Sequence, residues 1–217
     1  MRDHYGMAVF DTLDEVLNPG HSALLVIDMQ NDLVSADGAY ASAGEDYLAA
    51  RSVIDPIRRL IAMAHTADAP VIYTMNTTLE NGGSDSPAWA YFKSYSRPAL
   101  NGTYTVEGTW GCEIIPELAP EPSDRIVRKH RSDAFVGTDL YLILRAAEVK
   151  TVVSCGIVTN GCVESTVRHA AFLDYYSVVV EDACASSSPE LHTAALSLLR
   201  GRHDLVPVNL IEEIWRS

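Results

Sequence analysis

Three side chains that can attack a carbonyl or move a proton stand at or just past the ends of apolar runs in this sequence. Asp28 closes ALLVID, Lys129 follows Ile126-Val127, and Cys162 follows the TVVSCG run. A thiol is a nucleophile once deprotonated, a carboxylate can accept its proton, and an ammonium can hold either anion. Each also has an ordinary reading alone. A strand-end Asp often caps a loop, a Lys after a strand is often a solvated charge, and a Cys is often a small core residue. Their joint placement argues for chemistry, because open α/β sheets carry their sites outside the carboxyl ends of the strands.

Cys162 has a further argument. Gly156 and Gly161 bracket a turn, and Val163-Glu164-Ser165-Thr166 starts a helix. A thiol at a helix N-terminus meets the positive end of the helix dipole, which favours thiolate. The amide hydrogens there can also receive a developing oxyanion. The other cysteines, Cys112, Cys155 and Cys184, form no C-x-x-C pair, so a zinc or redox-pair reading fails and free thiols are expected.

The elements that must position these groups are legible from hydropathy. Ala23–Met29, Pro70–Met75, Arg125–Val127, Thr151–Cys155, Ser177–Glu181 and Asp204–Pro207 are mostly apolar throughout, as strands buried on both faces of a parallel sheet are. Between them, Ile54, Ile57, Ile61 and Ala64 form one helical stripe, and Leu140, Ile143, Leu144 and Ala147 another. Ser188-Pro189 reads as a helix start and Gly201 as its end, and Asn209 is placed to cap a last short helix. The expectation is one α/β domain over residues 1–217 with an N-terminal extension over 1–19. Residues 76–124 are irregular, rich in Gly and Pro, and hold Trp89, Tyr91, Phe92, Tyr95, Tyr104 and Trp110. So long an excursion reads as a lid or an oligomer contact.

Composition excludes several classes. The chain has 217 residues and a net charge of −13, which repels nucleic-acid phosphate and anionic lipid. No apolar run approaches a membrane span, and the N-terminus lacks a secretion signal's pattern, so a cytoplasmic location is expected. Neither G-x-G-x-x-G after the first strand nor a Gly-Lys-Ser/Thr loop is present, which disfavours a dinucleotide- or phosphate-binding domain.

Val26-Ile27-Asp28-Met29-Gln30-Asn31-Asp32, then Lys129 ahead of Ser132 and Phe135, then Gly156-Ile157-Val158-Thr159-Asn160-Gly161-Cys162-Val163 resemble the isochorismatase-like cysteine hydrolases. The resemblance runs from about Ser22 to Val208, with the blocks in the family's order. It implies a six-stranded, mostly parallel sheet with helices on both faces, and an Asp28–Lys129–Cys162 triad with no cofactor. Asp28 would take the thiol proton and return it to the leaving nitrogen, Lys129 would hold Asp28 and favour thiolate, and Cys162 would form a thioester. The resemblance further implies an oxyanion hole from the Val158 and Cys162 amides, shaped by a cis Ile157–Val158 peptide, and a homodimer or homotetramer.

Departures within the family narrow the reading. True isochorismatases typically lack the cysteine, and nicotinamidases carry metal-binding histidines where Asn76 to Lys93 here has none, so no metal is expected. His130 adjoins Lys129 and could reach the pocket. Gly108-Thr109-Trp110-Gly111 with Ile114-Ile115-Pro116, and Cys162-Val163-Glu164-Ser165-Thr166 with Val180-Glu181-Asp182-Ala183, are similar to amidases of ureido and N-carbamoyl compounds. A small-molecule amide of that class is therefore the expected substrate. A larger natural-product amide or lactam and a non-catalytic binding protein remain the alternatives. Candidate substrate contacts are Leu33, Asn76, Trp89, Arg97, Trp110, Arg131 and Phe135, with Lys93, Arg97 and Arg131 as candidates for holding a substrate anion.

Overall fold

The computed structural model describes residues 1–96, 98–100 and 103–216. Its main sheet has six strands, all parallel: β3 (Ser22–Ile27), β4 (Val71–Asn76), β5 (Arg125–Lys129), β6 (Thr151–Ile157), β7 (Tyr176–Ala185) and β8 (Asp204–Val206). The order across the sheet is β5-β4-β3-β6-β7-β8. The chain thus builds outward from β3 in one direction, returns, and builds outward from β6 in the other. The crevice at that reversal is where ligands bind in open α/β sheets.

The apolar runs work as expected because the sheet is covered on both faces. Along β3, Leu24 and Val26 enter one core, while Ala23, Leu25 and Ile27 enter the other. Side chains alternate across a strand, so a strand apolar at every position needs two greasy faces. The first face is covered by α5 (Ile54–Thr66), through Ile57 and Leu60, and by α10 (Val208–Trp215), through Ile211 and Trp215. The second carries α7 (Leu140–Ala146), α8 (Glu164–Phe172) and α9 (Pro189–Arg200), which bury Leu144, Val167 and Leu199. Burying a Leu or Ile side chain contributes about 1.5–3 kcal/mol. No helix among the described residues is long and apolar enough to cross a membrane.

Local signals also worked where they were strong. Ser188 caps α9, accepting from the Leu191 amide at 3.3 Å, with Pro189 in the first turn. Several boundaries differ, with β3 stopping at Ile27 and β6 running on to Ile157 among them. β5 continues through Lys129, because its pairing with Asn76 of β4 extends the ladder. β7 runs to Ala185, and its pairing with β6 shifts register between Ser154 and Gly156. Asn209 lies inside α10 and is not its cap. The Val208 amide is instead satisfied at 2.8 Å by Asp182, a residue remote in sequence that no local pattern ties to that helix.

Smaller elements complete the chain. The N-terminal extension holds a hairpin of β1 (Arg2–His4) and β2 (Met7–Val9), turned by Tyr5 and Gly6 with φ of 53° and 82°. α1 (Leu13–Val16) precedes β3. After β3 come α2 (Asn31–Val34), α3 (Ala39–Ser42) and α4 (Tyr47–Arg51). The excursion after β4 contains α6 (Pro87–Ser96) and several single 3-10 turns.

β3 and β6 meet most closely at Gly156, whose φ is +115°. A Cβ there would lie 2.2 Å from the Ile27 carbonyl oxygen. Gly156→Ala therefore combines backbone strain with a backbone clash beside Asp28, and should cost about 3 kcal/mol or more. Urea unfolding measures this; a midpoint within error of the parent would contradict the close approach.

Candidate active site

Asp28 follows the last residue of β3 with φ of 55°, a left-handed conformation that Asp tolerates better than most residues. The turn re-aims its carboxylate across the strand ends. Thr74 of β4, level with Ile27 in the ladder, donates its hydroxyl to Asp28 Oδ1 at 2.7 Å. Lys129, at the end of β5, must reach across the end of β4 to arrive at the same point. Its long side chain does so, placing Nζ 2.7 Å from Asp28 Oδ2. The same Nζ donates to Cys162 Sγ at 3.3 Å and to the Arg131 carbonyl at 3.0 Å. Both charged residues are essentially sealed from solvent.

Cys162 lies in a π-helical turn, Thr159–Val163, between β6 and α8. Such wide turns occur mostly as single insertions at functional sites. The bonds closing it come from the Gly161 and Val163 amides to the Val158 carbonyl, and from the Glu164 amide to Thr159 and Gly161. None of these uses the Cys162 amide. The Ile157–Val158 peptide before the turn is cis. Two side-chain bonds hang the turn from its neighbours. Thr159 Oγ1 lies 2.8 Å from His192 Nδ1 of α9, and Ser186 donates to Asn160 Oδ1 at 2.6 Å.

Enclosure acts against the helix start at Cys162: burial pushes its thiol up to about 12. Lys129 pulls that value down, while the neighbouring Asp28 carboxylate pushes it up again. For Lys129, burial works against the charged form, but Asp28 and Cys162 outweigh it and its pKa is raised. Burial thus favours the neutral thiol of Cys162, while its two charged neighbours act on it in opposite senses.

Asp28 and Cys162 open on a cavity of about 410 Å³, with Lys129 buried behind them. Leu33, Asn76, Trp89 and Val158 line it, as the sequence suggests. Arg131, Trp110 and Phe135 do not line it. Arg131 lies with its guanidinium 4.9 Å over the Trp89 ring and donates to the Ser84 carbonyl at 3.0 Å. Trp110 is half-exposed, and its carbonyl accepts from Asn31 at 2.8 Å. Phe135 is buried against His169 and Tyr175 in the second core. His130 turns to the Thr77 carbonyl, 2.7 Å from Nδ1. Lys93 is buried in an ion pair with Asp85 at 2.6 Å. Arg97 lies outside the described residues. Among the described residues no group of three or more His, Cys, Asp or Glu is placed to hold a metal.

Sequence reasoning missed several contributors. Phe92 stands beside Trp89 in the cleft wall, their rings 4.9 Å apart, and Tyr40 and Tyr104 supply further aromatic lining. Ser186, Ser187 and Ser188 line the end nearest α9. These serines follow β7, so the rule that led to Asp28 and Cys162 would have found them too. The three residues after Met29 are equally informative. Gln30 donates to the Asn76 and Cys112 carbonyls at 2.9 and 2.7 Å, Asn31 to Trp110, and Asp32 accepts from the Thr105 amide at 2.6 Å. The irregular excursion is thus anchored to the β3 end by consecutive polar side chains.

Comparison with known proteins agrees with this architecture. An isochorismatase domain model matches residues 22–208. The chain is 39% identical over 180 residues to ureidoacrylate amidohydrolase RutB of Enterobacter sp. (strain 638), covering 79% of this chain and 78% of that protein. Among solved structures, a cysteine hydrolase from Pseudomonas syringae pv. phaseolicola 1448A superposes with a TM-score of 0.80 at 25% identity, over 92% of this chain and 94% of the other. N-carbamoylsarcosine amidase from Thermoplasma acidophilum gives 0.70 at 28% identity, over 87% and 96%.

Because Asp28 raises the Cys162 pKa, Asp28→Asn should lower it and speed alkylation by iodoacetamide at about pH 8, by about tenfold or more. In the parent protein the alkylation rate should keep climbing beyond about pH 9, as a thiol that high requires. A rate that levels off below that pH would mean a resting thiolate and overturn the assignment of charges.

Proposed function

The chain belongs to the isochorismatase family, as an amidohydrolase of that family, and we propose that it hydrolyses a C–N bond of a small ureido or N-carbamoyl compound through a thioester on Cys162. The observation that carries this reading is the buried ammonium of Lys129, 2.7 Å from Asp28 and 3.3 Å from Cys162. The similarity to a ureidoacrylate amidohydrolase and to an N-carbamoylsarcosine amidase supports the substrate class.

The chemistry follows from the charges. Sγ attacks the carbonyl carbon as its proton passes to Asp28, so negative charge leaves the carboxylate as it appears on sulfur. Lys129 touches both anions, and its ammonium stays paired throughout the transfer. The carbonyl oxygen becomes an oxyanion, received by the Val158 and Cys162 amides. Asp28 then gives its proton to the departing nitrogen, which leaves as ammonia or an amine. Water attacks the thioester with Asp28 again accepting a proton, and the thiol is restored as the acid product leaves. Asp28 thus takes a proton from sulfur, gives it to the leaving nitrogen, takes another from water and returns that one to sulfur, so the protons balance over the cycle.

The test is ammonia release from a panel of ureido acids, N-carbamoyl amino acids and biuret-like compounds. Cys162→Ala should abolish turnover, and Asp28→Asn and Lys129→Ala should each lower kcat by about a thousandfold or more, since such a set acts as a unit. Parent-like rates in any of these folded variants would refute the proposal. Exhaustive chelation should leave the rate unchanged; activity lost with chelator and restored by zinc would point to metal chemistry instead.

A further inference from the structure

Arg131 stands beside the triad without lining the cleft, and its contacts run in two directions. Its carbonyl accepts from Lys129 Nζ at 3.0 Å. Its guanidinium lies 4.9 Å over Trp89 and donates to the Ser84 carbonyl at 3.0 Å. Trp89, in the first turn of α6, lines the cavity together with its stacking partner Phe92. One residue thus links the ammonium that holds Asp28 and Cys162 to the aromatic wall that faces the substrate.

We propose that Arg131 is a positioning residue for substrate recognition: it sets the placement of the Trp89–Phe92 wall relative to the triad and acts on the substrate through that wall. The proposal rests on the amidohydrolase reading for its kinetic part. The stack and the Ser84 bond require a flat, charged donor, which a lysine cannot reproduce. Neighbouring bonds stiffen the same seam. The Thr77 amide donates to the Lys129 carbonyl at 2.8 Å, and His130 bonds the Thr77 carbonyl. Those bonds hold the strand ends, whereas the Arg131 guanidinium reaches α6 itself. A cation on a ring face contributes modestly at an exposed site and more when desolvated. Releasing it should therefore loosen the wall without unfolding the sheet.

Two measurements decide the matter, one independent of any substrate. Hydrogen exchange over residues 84–96 should be faster in Arg131→Ala and in Arg131→Lys than in the parent, with exchange in β3 and β6 unchanged. Unaltered exchange in that segment would overturn the proposal whatever the enzyme's substrate. In kinetics, both variants should raise KM about three- to thirtyfold, with kcat changed less, and equally for an N-carbamoyl amino acid and its neutral amide. In a Trp89→Leu background, Arg131→Ala should add little to KM, because the residue it acts through is gone. A loss confined to the acid substrate would make Arg131 an anion anchor and refute the positioning role, as would full additivity with Trp89→Leu. If no ureido or carbamoyl compound is turned over, the proposed substrate class fails, and the exchange measurement still decides the proposal about Arg131.

Discussion

Lys129 and Asp28 bring opposite full charges to 2.7 Å at a place almost without solvent, and the rest of the site is arranged around that fact. Taking either charge out of water alone costs several kcal/mol, and removing one partner of such a pair typically costs about 3–5 kcal/mol. The pair persists because each member has additional partners. Thr74 satisfies the second carboxylate oxygen, and the Arg131 carbonyl and Cys162 sulfur take up the remaining directions of the ammonium. Those same auxiliary contacts define the chemistry. The same ammonium touches both the carboxylate and the sulfur, and the enclosure that makes the pair expensive also favours the neutral thiol.

Holding that geometry demands that three strand ends keep their relative heights. β3 and β4 are neighbours, but Lys129 comes from the edge strand β5 and Cys162 from beyond β6, so a slip of one residue in either ladder would shift a group along its strand by about 3.3 Å. Packing on both faces of the sheet resists such slips, since a register change of one residue would exchange the two cores. Gly156 adds a local condition, as only a residue without a side chain lets β6 pass so close to Ile27 before turning toward Cys162.

The long excursion after β4 solves a different problem. It has little regular ladder with which to satisfy its backbone, yet it passes beside the buried end of β3. Gln30, Asn31 and Asp32 supply hydrogen bonds to Cys112, Trp110 and Thr105, so polar side chains do there what a strand partner does elsewhere. Gly111 is needed at the same seam, because a Cβ would fall 2.3 Å from the Asp32 carboxylate. With this half of the excursion fixed, α6 is left to form a wall of the cleft.

The sequence by itself determined the parallel α/β architecture and pointed to the side chains that meet at the strand ends. Runs such as ALLVI and TVVSC are apolar at every position, a pattern satisfied only between two helical layers, and reactive residues at the ends of such runs have few places to go but the crevice. Strong local signals, such as Ser188-Pro189, were equally readable. What only the tertiary structure decided were the partners of long side chains. Arg131 and Lys93 look like anion binders in a one-dimensional list, yet one lies over Trp89 and the other pairs with Asp85. Asp182, and not the nearby Asn209, caps α10. The balance at Cys162 is likewise set by the fold, because helix position favours thiolate while enclosure and a neighbouring carboxylate favour thiol. Burial and the distance between charges are properties of the folded whole. They carry the larger energies, so a reading along the chain names the groups and the fold settles what each of them is doing.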